Sequence, residues 1–355
     1  MTTLRLAVVV PYRNENVRII RCIASIADWI NPSCAPHVVI IDDGSQHRKG
    51  AQASIAPISF NLPITCLTLQ TQHGPGHARN LGIEWAASRS FSHIMFVDAD
   101  DYLTGPVTSE DMQTRFFRIF NSVEVEDSAG VERPTAPAVI KTNRAEPGSS
   151  IQTELARFLH SPNRSGTLTF CWAKIFNTSF LMKCQLRFPE HISTFEDVRF
   201  ILEAVSLGRK VDFSFREIYA HTNRPGFSTA TLGSMQGLNQ LFGFLDCIRF
   251  LRARRQRFGI SNTDVAHLAA CYYSIQMTRA AAMCLHAGNV DLMHETLNRR
   301  IRSRFFRRAM EAYSPALAMT DGAVKAAIMS IGSNMEAARV VFTRKAQERY
   351  GVPTT

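Results

Sequence analysis

Four short apolar runs dominate the first hundred residues: "LRLAVVV" at 4–10, "HVVIID" at 37–42, "ITCLTLQ" at 64–70 and "HIMFVD" at 93–98. Each is too short for a buried helix, rich in branched side chains and ended by Pro, Asp or a polar loop, as buried strands are. Between them, "NVRIIRCIASIADWI" places Val17, Ile20, Ile23, Ile26 and Ile30 at near-helical spacing, and "GHARNLGIEWAASR" reads as a second helix. Strand and helix in alternation predict an α/β fold with a mostly parallel sheet flanked by helices. Such sheets bind ligands at the carboxyl ends of their strands. Three strand ends here carry loaded loops: "PYRNEN", "DDGSQH" and "DADDYL".

Residues 105–150 read as irregular, with "EVEDSAGVERPTAPA" as a surface insertion and "PAVIKTN" as a strand returning to the sheet. Residues 151–160 read as a helix. "TFCWAKIFNTSFLMKCQLRFPE" reads as extended and then briefly helical, and "VDFSFREIYAHTNRPG" as a strand. "STFEDVRFILEAVSLGRK" carries the signals of a helix. Ser193 or Thr194 can cap it, Glu196 and Asp197 suit its first turn, and Gly208 lies near its end. From about residue 234 the composition turns helical. The expected division is an α/β catalytic domain over 1–232 and a helical extension over 233–355.

The acidic loop limits the chemistry. Asp98, Asp100 and Asp101 fall within four residues at the end of an apolar run. Clustered carboxylates repel, so either water solvates them or a cation sits among them. On an extended segment Asp98 and Asp100 share a face, and their hard oxygens suit Mg²⁺ or Mn²⁺ on a diphosphate. "DAD" alone reads as readily as an exposed acidic turn.

The order "VVVPYRNE", "VVIIDDGSQ", "HGPGHARNLGI", "IMFVDADDYL", followed by Glu196–Asp197 at a helix start, strongly resembles the inverting family 2 glycosyltransferases of GT-A (Rossmann-like) fold. The resemblance covers residues 4–104, resumes near "CWAKIF" and runs through "RFPEHISTFEDVRFILEAVSLGRK" to "YAHTNRPGFST"; the helical tail lies outside it. It implies that Pro11, Tyr12 and Arg13 line the nucleotide, with Glu15 just after them. One of Asp42 and Asp43 contacts the base. Arg79 contacts the nucleotide or braces the acidic loop, and His73 and His77 flank it. Asp98 and Ala99 belong to the donor contacts. Asp100 and Asp98 hold Mn²⁺ or Mg²⁺, and His221 adds a metal or phosphate contact. Asp101 orients the turn. Asp197 is the general base, with Glu196 orienting it or binding acceptor. Trp172 and Lys174 line the acceptor side. Arg224 and Gly226 belong to a closing loop.

The implied reaction transfers a sugar from a nucleotide-diphosphate donor, UDP by family habit, to a hydroxyl of a glycan or lipid-linked acceptor in cell-surface polysaccharide or glycolipid synthesis. Two other readings stand beside it. A sugar nucleotidyltransferase would need a phosphate-binding Gly-rich signature near the N-terminus, which the sequence lacks. A non-catalytic nucleotide-sugar-binding or scaffold protein would not need both acidic units.

The net charge of +10 predicts attraction to polyanions. "RFLRARRQRF" and "NRRIRSRFFRRAM" interleave Arg with apolar residues, which suits an anionic membrane surface or solvated arginines beside packed apolar ones. No nucleic-acid module accompanies the charge, so nucleic acid is not an expected partner. Eight scattered cysteines without a CxxC pair fit reduced thiols. No apolar run approaches the roughly 20 residues of a spanning helix. These features predict a cytoplasmic protein, soluble or peripheral at the inner face of the plasma membrane.

Overall fold

The computed structural model describes residues 4–15, 17–46, 50–126, 139–160, 166–208, 210–223 and 236–269, together with 340 and 344. Arg224, Gly226, most of the 124–138 insertion and the tail beyond 269, "NRRIRSRFFRRAM" included, lie outside them. The chain divides into two compact units. One comprises 1–155 and 163–224, the other 156–162 and 225–355.

Among the described residues the first unit carries a nine-stranded sheet. Its strands are β1 (Leu6–Tyr12), β2 (His37–Asp42), β3 (Ile64–Thr68), β4 (His93–Phe96), β5 (Tyr102–Leu103), β6 (Phe117–Glu126), β7 (Val139–Asn143), β8 (Lys174–Asn177) and β9 (Asp212–Asn223). The order is β3-β2-β1-β4-β8-β6-β9-β5, with β7 paired to β6. The first four strands are parallel. β8 then runs antiparallel to both β4 and β6, while β6 and β9 are parallel. The four runs read from the sequence are thus the parallel half.

Helix α1 (Arg18–Trp29) buries Ile19, Cys22, Ile23 and Ile26. These pack with Leu6, Val8 and Val10 of β1 and Val38 and Ile40 of β2. Each buried isoleucine contributes roughly 1.5–3 kcal/mol of transfer free energy. Helix α3 (Pro75–Ser88) lies closely on β1: a Cβ at Gly82 would meet Val9 Cγ1 at 2.2 Å. Gly82 therefore sets how near the helix comes to the strand. A short α2 (Ala51–Ile55) follows the β2 loop.

Two further departures from the sequence reading affect the site. "TFCWAKIF" does not begin extended; α5 (Gly166–Thr169) is helical and β8 starts only at Lys174. Helix α7 (Glu196–Leu207) is not capped by Ser193 or Thr194. Its N-cap is Phe195 in a left-handed conformation (φ 64°) without a side-chain cap, and the buried Thr194 hydroxyl has no partner. Helix α6 (Thr178–Lys183) belongs to the first unit, and the residues of α4 (Ile151–His160) divide between the two units after 155. In the second unit, α8 (Gln236–Phe258) buries Phe244, Cys247, Ile248, Phe250, Leu251 and Phe258, while Arg249, Arg252 and Arg257 are exposed. Among the described residues no helix is long and apolar enough to cross a membrane.

Candidate active site

Parallel pairing brings the ends of β1, β2, β3 and β4 to one edge, and the loaded loops gather there. The Asp43 amide donates to Tyr12 O at 2.9 Å, and the Asn14 amide to Ser45 Oγ at 2.9 Å, so the first two loops are laced together. Both acids of "DDGS" accept backbone amides. Asp42 takes those of Ser45 (3.0 Å) and Ala51 (2.8 Å); Asp43 takes those of His73 and Gly74, each at 2.7 Å. Asp43 thereby fixes the glycine-rich loop at the start of α3. Gly44 turns the chain at φ 68°, where a Cβ would meet the Thr71 backbone at 2.7 Å. The Tyr12 hydroxyl bonds Ser54 Oγ at 3.0 Å; Pro11 is half-buried, Arg13 is exposed, and Glu15 pairs with Arg18 at 3.4 Å.

The acidic loop is a tight turn and not an extended segment, since the Asp101 amide closes onto Asp98 O at 3.0 Å. The i, i+2 face-sharing expected for Asp98 and Asp100 does not apply; a turn presents them. Ala99 between them is buried. Arg79, buried on α3, donates from Nη2 to Asp98 Oδ1 at 2.7 Å and from Nη1 to Glu196 Oε1 at 3.0 Å. A single guanidinium thus joins the acidic turn to the start of α7. It does so as a brace, with its ring-like plane 5.5 Å from the Phe188 centroid. Phe188 in turn stacks on Phe200 of α7 at 3.9 Å, and both rings meet Phe96 of β4 edge-on. This aromatic cluster holds the first turn of α7 against the strand that leads into the acidic turn.

Asp197 lies in that first turn and accepts the Val198 amide at 2.7 Å. Burial, and then the neighbouring Glu196 carboxylate, raise its carboxyl to about 8, against the opposing pull of Arg79. Burial likewise raises Glu196, with Arg79 opposing. A carboxyl held near neutrality is suited to taking up a proton.

Asp101 is fully buried and ties β9 to the turn. Its Oδ2 accepts the Tyr219 hydroxyl at 2.7 Å and faces His221 Nδ1 at 3.1 Å; its Oδ1 accepts the Thr222 amide at 2.8 Å. Burial pulls the His221 pKa down, but Asp101 overrides it and raises the ring to about 9. Trp172 is buried, stacked on Tyr219 at 4.7 Å and on Phe170 at 4.5 Å, so its ring belongs to the core. Lys174 is also buried, donating to Phe170 O at 2.7 Å and Trp172 O at 3.3 Å; burial lowers it to about 8.

The rings of His73 and His77 lie 4.7 Å apart and tilted by 31°, His77 Nδ1 lying 3.0 Å from Glu190 and His73 Nε2 3.0 Å from Thr71 Oγ1. Asn80 bonds the same Glu190 at 2.8 Å and both polar groups of the Phe188 backbone. Sequence reasoning missed Asn80, Glu190, Tyr219 and Arg21. All act on partners distant in sequence, and no local spacing signals them. Among the described residues no group of three or more His, Cys, Asp and Glu side chains is arranged to hold a metal ion. Mg²⁺ and Mn²⁺ require only one or two carboxylates when phosphate oxygens and water supply the rest. The Asp98–Asp100 donor set fits that demand.

The model of Glycosyl transferase family 2 matches residues 7–177. The chain is 25% identical over 224 residues to the poly(ribitol-phosphate) beta-N-acetylglucosaminyltransferase TarS of Staphylococcus aureus, covering 63% of this chain and 36% of that protein. It is 24% identical over 252 residues to the teichoic acid poly(glycerol phosphate) polymerase of Staphylococcus epidermidis, covering 69% of this chain and 33% of the other. The chain therefore spans about a third of the length of these relatives. The crystal structure of S. aureus TarS 1–349 in complex with UDP-GlcNAc superposes with a TM-score of 0.61 at 16% identity, over 99% of this chain and 93% of that one. The fold is that of these GT-A structures.

Proposed function

We propose, from the match of residues 7–177 to the glycosyl transferase family 2 model, that the chain is an inverting sugar transferase. It moves a sugar from a nucleoside-diphosphate donor to a hydroxyl of a glycan acceptor in cell-surface polymer synthesis. That TarS is a poly(ribitol-phosphate) N-acetylglucosaminyltransferase crystallised with UDP-GlcNAc supports that donor and a polyol-phosphate acceptor, and a net charge of +10 suits so acidic a polymer. We place the reaction on the cytoplasmic side, with the basic tail as a contact to an anionic, lipid-bearing surface, and keep the catalytic part at 1–232 and the helical extension at 233–355.

The observation that carries the reading is the Arg79 bridge, which sets the Asp197-bearing turn of α7 beside the acidic turn after β4. Asp98 and Asp100 would hold Mn²⁺ or Mg²⁺, with His221 Nε2, protonated beside Asp101, as a further contact to the diphosphate, or to the metal if the ring gives up that proton. Bound there, the ion supplies Lewis-acid stabilisation of the departing diphosphate. The loops carrying Pro11, Tyr12, Arg13, Glu15, Asp42 and Asp43 would cradle the nucleotide. Asp197 takes the proton of the acceptor hydroxyl as its oxygen bonds the anomeric carbon and the bond to the diphosphate breaks. Glu196, fixed by Arg79, orients Asp197. Attack opposite the leaving group turns an α-linked donor into a β-linked product.

The test is nucleoside-diphosphate release from UDP-sugars with Mn²⁺ or Mg²⁺, with and without poly(ribitol phosphate) or poly(glycerol phosphate). Asp100→Ala is expected to lose metal-dependent donor binding. Asp197→Asn is expected to keep donor binding and lose transfer by roughly 10²–10⁴. Near-normal transfer by Asp197→Asn would overturn the assignment.

A further inference from the structure

The acidic turn is gripped from two sides. From β9 come Tyr219, His221 and Thr222. From α1 come Ser25, whose Oγ accepts the Leu103 amide at 2.9 Å, and Cys22, whose Sγ lies 3.6 Å from Asp98 O. One residue reaches both sides. Arg21 Nη2 donates to Asp100 O at 2.8 Å and to Thr222 Oγ1 at 3.0 Å, and its guanidinium lies 4.6 Å from the Tyr102 ring centroid.

We propose that Arg21 is a positioning residue that latches the Asp98–Asp101 turn to the end of β9 and so sets where the Asp100 carboxylate stands. The inference rests on reading Asp100 as the metal-holding residue. The bond to the Asp100 carbonyl acts on the peptide plane next to the Cα that carries this carboxylate. Fixing that plane restricts where the side chain can point. The second bond makes β9 the reference, itself fixed to the turn by the buried Asp101 and by the Tyr102–Ala220 pairing. Stacking on Tyr102 orients the guanidinium plane between them.

An arginine merely lying along a helix surface would meet partners three or four positions away. Arg21 instead bonds residues 79 and 201 positions distant, and its Nε is buried without a partner. The cost of that buried donor is offset by the two bonds of Nη2 and the contact with Tyr102. Both bonds leave from Nη2, so one nitrogen at the far end of the side chain serves two acceptors while the flat guanidinium covers Tyr102. A lysine in its place would keep the charge and could offer two N–H groups, but its nitrogen sits one bond nearer the backbone and it has no flat face for Tyr102.

A turn that occupies its competent position only part of the time binds its ligand more weakly in proportion. The experiment compares wild type, Arg21→Met, Arg21→Lys and Thr222→Val. Thr222→Val removes the hydroxyl acceptor but keeps the Thr222 backbone bond to Asp101. Three quantities are read: thermal stability, amide hydrogen exchange, and Mn²⁺ affinity by electron paramagnetic resonance in the presence of UDP.

Arg21→Met is expected to speed exchange over 98–103 and 219–223 while α3 and the β1–β2 pair stay protected. It should weaken Mn²⁺ binding about tenfold, as expected if the turn is competent about a tenth of the time. Arg21→Lys and Thr222→Val should fall between it and wild type, and they carry the test if Arg21→Met does not fold. Wild-type exchange and Mn²⁺ affinity in all three variants would overturn the latch. So would loss of protection spread evenly through the first unit. If wild type itself takes no Mn²⁺ with UDP while exchange at 98–103 still responds to Arg21, the proposed function fails and the latch stands.

Discussion

At the scale of single residues, Asp197 and Glu196 are adjacent acids that share one helical turn but meet different surroundings. Arg79 pairs directly with Glu196, while the half-buried Asp197 lies next to that same carboxylate in the chain and is raised to about 8. A base must be ionised to act, so transfer at sub-saturating substrate should rise with pH through this region. Glu196→Gln removes the like charge and leaves more of the Arg79 field to Asp197. Both changes favour the ionised form, so the acidic limb of kcat/KM should move to lower pH by about one unit. A pH–rate profile of the variant checks this; a limb that stays in place or moves up would remove Asp197 from the role. Asp98, Asp100, Glu196 and Asp197 were legible in the sequence because each sits in a short motif next to a strand end or helix start. Their settings were not. Nothing in "STFED" signals that Phe195 takes a left-handed conformation in place of a capped start, nor that Asp101 is the fully buried member of its cluster. The setting of Asp101 is an outcome of contacts with β9, more than a hundred residues away in the case of Tyr219.

Elements sort in the same way. The parallel strands β1–β4 and helices α1, α3 and α7 declare themselves because each is a continuous apolar run or has a clear helical period. Strand β6 did not, although it is the longest partner of β9. Its middle holds the buried polar pair Asn121–Ser122, and its register against β9 shifts there, which breaks the alternation that marks a strand. Asn121 bonds the distant backbone of Ala145 and Phe215. The seat of α3 on β1 is a further element-level property. Gly82→Ala puts a methyl where Val9 already stands, so the helix must lift or Val9 must leave its rotamer. Overpacking of this kind costs about 1–3 kcal/mol. The loss should appear in denaturant titration, with an accompanying fall in donor affinity because α3 also carries Arg79 and the glycine-rich loop. A Gly82→Ala variant as stable as wild type would show that this contact yields freely.

For the whole molecule, charge and fold make separate statements. The fold places an acidic centre at one sheet edge, while the chain as a whole carries +10. On α8, Phe244, Cys247, Ile248, Phe250, Leu251 and Phe258 are buried and the arginines at 249, 252 and 257 are outside. A hold of that helix on an anionic bilayer is then coulombic, without insertion of an apolar face. Cosedimentation with phosphatidylserine vesicles at about 0.05 M salt should be lost by about 0.5 M, where the screening length has shrunk to a few ångströms. Binding that persisted at high salt would require an apolar anchor instead.

The Arg79 brace also bears on how enzymes of this build can diversify. One side chain links a segment that the proposed reaction assigns to the donor with one it assigns to the acceptor, so the two are not independent modules. A chimaera that exchanged only the portion before Lys174, or only the portion after it, would leave the guanidinium facing a foreign carboxylate at one end. New donor and acceptor preferences would then have to arise as matched pairs, or around an arginine and two acids that are left untouched.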